Sequence, residues 1–169
     1  MRVSTTVMAC ALLLNGSMAM ALDLGGLKSK ASDASNRSVL ENVNKSMADQ
    51  QVKDGQFEFL PGKAEFAPGN EQRVKGLLKV ITDNSKALKL AFPNYYVSAI
   101  GHTDSDGKAE ANQKLSVARA EKVCSELKAK GLTVPCKPSG VGSSKPLVSP
   151  EKSAADKQRN RRVLVQVGK

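Results

Sequence analysis

The chain is 169 residues long, with 26 Lys and Arg against 16 Asp and Glu and a formal charge of +10. That length supports one ordinary domain with a real core and no more. The charge favours anionic partners, namely nucleic acid, lipopolysaccharide, anionic lipid or a carboxylate-rich cell-wall polymer.

The amino terminus reads as an export signal. Arg2 precedes an apolar run from Val7 to Leu14, and Ala19-Met20-Ala21 has the small-x-small pattern of a signal peptidase site. The run is too short to span a bilayer. Residues 1–21 are therefore expected to be a signal peptide, with the mature chain beginning at Leu22. Val7-Met8-Ala9-Cys10 loosely resembles a lipobox, but too little apolar sequence precedes it, and simple cleavage is the better reading. Cleavage leaves 25 basic against 16 acidic side chains, or +9. Export removes nucleic acid from the list of partners, and no stretch of the mature chain is long and apolar enough to cross a membrane. Cleavage also leaves two cysteines, Cys124 and Cys136, which an exported protein usually joins. A lone C-x11-C pair is not a zinc pattern, so no metal and no cofactor are expected.

Residues 22–55 are polar and read as a linker. Within them Val39, Leu40, Val43 and Met47 fall at helical spacing and predict a short amphipathic helix over about 36–51. Alone it would be marginal; packing on the domain, dimerisation and binding of an envelope protein all stay open. The folded domain is placed at 56–169. It begins with Gln56–Leu60, where Phe57 and Phe59 alternate as in a half-buried strand before Pro61-Gly62 turns the chain. From Asn70 to about Leu88, Val74, Leu77, Leu78, Ile81 and Leu88 recur at helical spacing with lysines between them, an amphipathic helix. Tyr95–Ile100 is apolar on both alternating faces, as in a central strand. A second helix is predicted from about Ala111 to Lys130, stopped by Gly131. A short strand follows at Lys137–Val141, then a Ser-, Pro- and Lys-rich loop with one helical turn after Ser149-Pro150, then a strand at Arg162–Val167. This order argues an α/β (α+β) sandwich: one small mixed four-stranded sheet with helices packed on a face.

The chemistry gathers in Gly101–Leu127. His102 and Asp104 alternate as a strand ends, at the position where α/β sheets collect ligands. An aspartate there could equally satisfy loop amides, since Thr-Asp-Ser-Asp-Gly is good turn sequence. Arg119 lies in the row Leu115, Arg119, Val123, Leu127, so its guanidinium springs from the packing side of the helix and needs a partner or a route to water. One anionic and one cationic group on neighbouring element ends suit a zwitterion.

Gly-His-Thr-Asp at 101–104, Asn112, L-S-x-x-R-A at 115–120 and N-R-R-V at 160–163 resemble, in order and spacing, the carboxy-terminal domain of the outer-membrane protein OmpA. The same domain occurs in peptidoglycan-associated lipoprotein and flagellar-motor stator proteins. The resemblance covers roughly Gln56 to Val167 and implies a βαβαββ fold that binds peptidoglycan without turnover. It implies that Asp104 accepts from the ammonium of meso-diaminopimelate and that Arg119 clamps the carboxylate on the same carbon. Thr103, Asn112 and Leu115 would line the pocket and Arg161 would stand near it, although Asn112 also suits a helix cap and Arg161 ordinary surface charge. The family commonly has an aspartate after the second aromatic of the first strand, where this chain has Leu60. These features place the protein in the periplasm of a Gram-negative bacterium, associated with the wall or outer membrane. Two rivals stand beside this reading. A basic polyanion binder of lipopolysaccharide rests on charge alone. A hydrolase would use His102 as base, Asp104 as its orienter and Ser105 or Ser143 as nucleophile, without any nucleophile elbow to support it.

Overall fold

The computed structural model describes residues 24–169; the expected signal peptide, its cleavage site and Cys10 lie outside the described residues. Helix α2, Asn70–Ala91, forms where the apolar repeat placed it and buries Val74, Leu77, Ile81 and Leu88. Helix α3, Ala109–Ala129, buries Ala120, Val123, Cys124 and Leu127 on the same core. Strand β1, Tyr96–Gly101, is central in the sheet as expected, but only Val97, Ala99 and Gly101 are buried, alternating with half-buried Tyr96, Ser98 and Ile100, so one face is fully covered and not both. It pairs in parallel with β2, Cys136–Gly140, and antiparallel with β3, Val163–Gly168. Pro138 in β2 has no amide hydrogen to offer beyond the sheet, which suits an edge strand. Between β2 and β3 the loop carries the helix α4, Ala154–Asn160, opened by a capping box of Ser153 and Asp156. Cys124 on α3 is joined to Cys136 at the start of β2, with Cα atoms 5.6 Å apart. Helix α3 lies so close over the sheet that a Cβ on Gly101 would collide with the backbone carbonyl of Ser116.

The sheet has three strands, in the order β2-β1-β3, and not the expected four. The segment Gln56–Leu60 makes only an isolated antiparallel bridge, Phe59 to Phe66. Its backbone groups are spent elsewhere. Asn70 accepts from the Glu58 amide at 3.0 Å and donates to the Glu58 carbonyl at 2.8 Å, while the Ala67 amide donates to that same carbonyl. Leu60 and Glu65 close the turn behind it.

The β3 edge that a fourth strand would have used is covered by helix α1, Leu24–Asp54, longer than the helix expected over 36–51. Val43 and Met47 of α1 are fully buried in the common core. On the same face, Asn44 accepts from the Val167 amide at 2.7 Å and donates to its carbonyl at 3.0 Å. Gln51 accepts from the Val165 amide at 2.9 Å and donates to its carbonyl at 2.8 Å. Each primary amide carries one acceptor and one donor side, as a backbone residue does. Seven residues apart on a helix, the two amides share a face and meet alternate residues of the strand. The helix thus supplies four hydrogen bonds that a neighbouring strand would supply, and the edge is left paired.

Candidate functional site

Where β1 ends, its pairing with β3 runs one bond further, the His102 amide donating to the Arg162 carbonyl at 2.8 Å. The Thr103 amide then donates to the Gly142 carbonyl at 3.0 Å. These two bonds fix the chain direction into Asp104. Asn112 on α3 donates to the carbonyls of Asp104 (3.3 Å) and Asp106 (2.8 Å), so its side chain ties the loop down. It is not the helix cap, a position held by Lys108.

Asp104 lies against a cleft of about 540 Å³, within the usual range for a small-ligand site. Thr103, Asn112, Leu115, Arg119 and Arg161 line it as well, so all six expected pocket residues come together. The far wall is Phe57, Phe59, Pro61 and Gly62. Leu60, where the chain departs from the resemblance, is not in that wall.

Arg119 is 4% exposed. Its Nε donates to the Lys63 carbonyl at 3.1 Å and its Cζ stands 4.9 Å from the centre of the Phe59 ring. The guanidinium is thus held by its inner edge and one face, and among the described residues the Nε bond is the side chain's only hydrogen bond, its two Nη atoms opening on the cleft. Burial pushes its pKa down and the charge of Arg161 adds to this, while Asp104 works the other way. An arginine so placed gains from an anion brought into the cleft.

Asp104 is paired with Arg161 and not with Arg119. Arg161 Nη1 donates to Asp104 Oδ2 at 2.6 Å, and the Asp106 amide donates to Oδ1 at 3.3 Å. Arg161 also donates through Nε and Nη2 to Gln158 Oε1. Asp106, across the cleft mouth, is paired with Lys157 at 2.7 Å.

The rest of the N-R-R-V segment has structural work to do that spacing did not reveal. Asn160 is wholly buried; its Oδ1 accepts from the amides of Leu147 and Val148 and its Nδ2 donates to the Val148 carbonyl and to Glu151. It pins the long loop in front of α4. Arg162 is buried and donates to the carbonyls of Asn160 and Lys145. Apart from the Asn-Arg-Arg pattern itself, nothing in the sequence points to these partners, which lie on a loop up to 17 residues upstream.

His102 is buried, and its one polar ring contact among the described residues is with the backbone of Lys145. Its Nδ1 lies 3.2 Å from the Lys145 carbonyl, which can only accept, so the neutral ring carries its proton on Nδ1. Burial first, and then the charge of Arg162, lower its pKa from 6.5 to about 4. Its Nε2 has no partner among the described residues, and Ser105 Oγ donates instead to Glu151 at 2.6 Å. The Ser–His bond that a hydrolytic reading needs is not made. Among the described residues no cluster of His, Cys, Asp and Glu is arranged to hold a metal, and no helix is long and apolar enough to cross a membrane.

The fold is shared with known proteins. The periplasmic domain of Helicobacter pylori MotB superposes with a TM-score of 0.54 at 20% identity, covering 67% of each chain. The peptidoglycan-associated lipoprotein of Burkholderia pseudomallei does so with a TM-score of 0.52 at 20% identity, covering 70% of this chain and 93% of that one. In sequence, the Escherichia coli protein named "Probable lipoprotein YiaD" is 30% identical over 108 residues, 63% of this chain. The chain matches only 45% of that relative's length. Residues 58–161, well over half of the chain and including Asp104, Arg119 and Arg161, match the OmpA family, and the chain belongs to that family.

Proposed function

We propose that this chain is a non-catalytic peptidoglycan-binding protein of the cell envelope, and that residues 56–169 hold the wall through the meso-diaminopimelate of its stem peptide. Asp104 accepts from the ammonium of the diaminopimelate head, and Arg119 forks the carboxylate on the same carbon. Thr103, Asn112 and Leu115 shape the floor, with Phe59 behind Arg119. The observation that carries this reading is the state of Arg119: buried, braced from behind, and with both terminal nitrogens free at the edge of a cleft that also holds a carboxylate. A geometry that leaves a buried cation unpaired is costly to the fold unless something is gained from it. The lipoprotein among the structural relatives is named for its association with peptidoglycan, which supports the same substrate. In this reading residues 1–21 direct export to the periplasm and the wall itself retains the protein.

Pull-down with purified sacculi tests it. Asp104→Ala and Arg119→Ala are each expected to lose binding by about 2–5 kcal/mol, the cost of truncating one member of a desolvated charged contact, with the circular dichroism spectrum unchanged. Arg119→Lys is expected to fail too, because an ammonium keeps the charge and loses the fork. Peptidoglycan with lysine in place of diaminopimelate keeps the ammonium, drops the carboxylate and should bind poorly. Wild-type affinity in Arg119→Ala, or equal binding to both polymers, would refute the pocket. Steep loss of binding with added salt would instead favour contact of the basic surface with a polyanion such as lipopolysaccharide.

A further inference from the structure

Asp104, the group assigned to the ligand's ammonium, is already occupied. Its Oδ2 receives Arg161 Nη1 at 2.6 Å and its Oδ1 receives the Asp106 amide at 3.3 Å. A carboxylate can accept more bonds than these two, but an arriving ammonium must share Asp104 with the Arg161 guanidinium, charge against charge, or displace it.

The two partners of that ion pair differ in freedom. The Asp104 side chain is 11% exposed and sits on a backbone fixed by the Thr103 and Asn112 bonds. The Arg161 side chain is 35% exposed and projects from the carboxy-terminal cap of α4. Its Nε and Nη2 rest on Gln158, 3.2 and 2.5 Å away. Breaking the Nη1 bond leaves the guanidinium tethered to Gln158 at the cleft wall and turned toward water, whereas Asp104 has no comparable retreat.

From this we infer that Arg161 is an internal competitor for the ligand's ammonium, and that the competition sets which ligands the cleft accepts. The inference rests on the diaminopimelate reading of the same cleft. With Arg161 on Asp104 an ammonium enters against a guanidinium already facing the same carboxylate, and to the extent that the pair must break, the apparent affinity falls by the fraction of molecules in which it is broken. The displaced guanidinium remains beside the cleft, where Arg119 is a second positive charge. A ligand carrying an ammonium alone adds a third and is repelled. One that brings a carboxylate with its ammonium balances the added charge, and for it displacement costs less. Arg161 thus discriminates against simple amines without touching the bound head, by repulsion of the wrong ligand as much as by attraction of the right one.

Calorimetric titration of the full chain with two soluble muramyl tripeptides, one carrying meso-diaminopimelate and one lysine, decides the matter. Arg161→Gln removes the competitor and its charge. The lysine peptide is expected to bind this variant more tightly than the wild type, and the preference for the diaminopimelate peptide over the lysine peptide to fall at least about tenfold. Arg161→Lys keeps a positive charge facing Asp104 and should keep most of the wild-type selectivity. An unchanged selectivity ratio in Arg161→Gln, equal weakening of both peptides, or Arg161→Lys matching Arg161→Gln would overturn the competitor role. Asp104→Ala separates this failure from a failure of the pocket. Loss of both peptides in that variant leaves the binding site standing whatever Arg161 does, and undiminished binding of the diaminopimelate peptide overturns the site and the inference together.

Discussion

Replacing Asn44 and Gln51 by alanine would strip the β3 edge of its helical partner. Each residue makes two hydrogen bonds to one strand residue, at 2.7 and 3.0 Å for Asn44 and at 2.9 and 2.8 Å for Gln51. At about 0.5–1.5 kcal/mol net per bond, each truncation should cost about 1–3 kcal/mol. The neighbouring side chains Val43 and Met47 are buried, so α1 would stay docked over the edge and exclude the water that could otherwise replace the amide. That places the effect toward the upper end of the range. The double variant should lose about 3–5 kcal/mol, a large part of the stability of an ordinary domain. The two truncations are expected to be less than additive, because both act on one helix edge and only when both amides are gone can α1 loosen and admit water to the strand. Urea unfolding measures the loss, and amide hydrogen exchange locates it: Val165 and Val167 should lose protection while Val97 and Ala99 on the central strand lose only what the global change dictates. Gln51→Glu adds a sharper test. A carboxylate can still accept from the Val165 amide but faces the Val165 carbonyl with no proton to donate, so the folded state prefers the neutral acid and raises its pKa. Measured against the wild type at each pH, the variant should lose least below the unfolded pKa of about 4.3 and lose progressively more as pH rises through the folded value. Unchanged unfolding midpoints with unaltered exchange at Val165 and Val167 would refute the idea that α1 stands in for a strand.

Three further outcomes follow from the same geometry. His102 titrates at about 4 in the fold against 6.5 in a free chain, so the unfolded state binds the extra proton between these values. Stability should fall by about 2–4 kcal/mol as pH drops across that window, and His102→Gln should flatten the profile, with the imidazole followed by NMR titration. Reduction of the Cys124–Cys136 bond, which closes a sequence separation of 12 residues, should cost about 3 kcal/mol in the chain-entropy picture, read as a shift in urea midpoint; thiol labelling of unfolded, unreduced protein should find both cysteines blocked. Gly101→Ala should be severely destabilising, because the new methyl meets the backbone of α3 and not a side chain that can turn away; a melting temperature within a few degrees of wild type would show that α3 can shift outward.

Much of the molecule was legible before any coordinates. Helix α2 could be read because its burial follows a period that the chain itself spells out, 3.6 for Val74 to Leu88, and the central strand β1 because its run is apolar and rich in strand-forming residues, although the burial of one face alone was not written there. The gathering of Asp104, Arg119 and Arg161 in one cleft was legible too, through motif order, and so was the Cys124–Cys136 pairing. Hydrogen-bond partners remote in sequence were not. Phe57 and Phe59 alternate as a strand should, yet whether such a segment joins a sheet depends on who holds the neighbouring edge. Here Asn70 takes the Glu58 backbone and two amides of α1 take the edge of β3, from 114 and 123 residues away. Helix α1 looked like a linker because its buried stripe is narrow, with Val43 and Met47 as its fully buried core residues and much of its hold on the domain made by Asn44 and Gln51. Polar side chains on a helix read as solvated until a backbone is found opposite them. The same holds for the charges in the cleft. Composition supplies the aspartate and the two arginines, but only the fold decides that Arg161 takes Asp104 while Arg119 is left braced and unpaired, since pairing of like candidates is settled by distance and burial, and neither is written in the order of the residues.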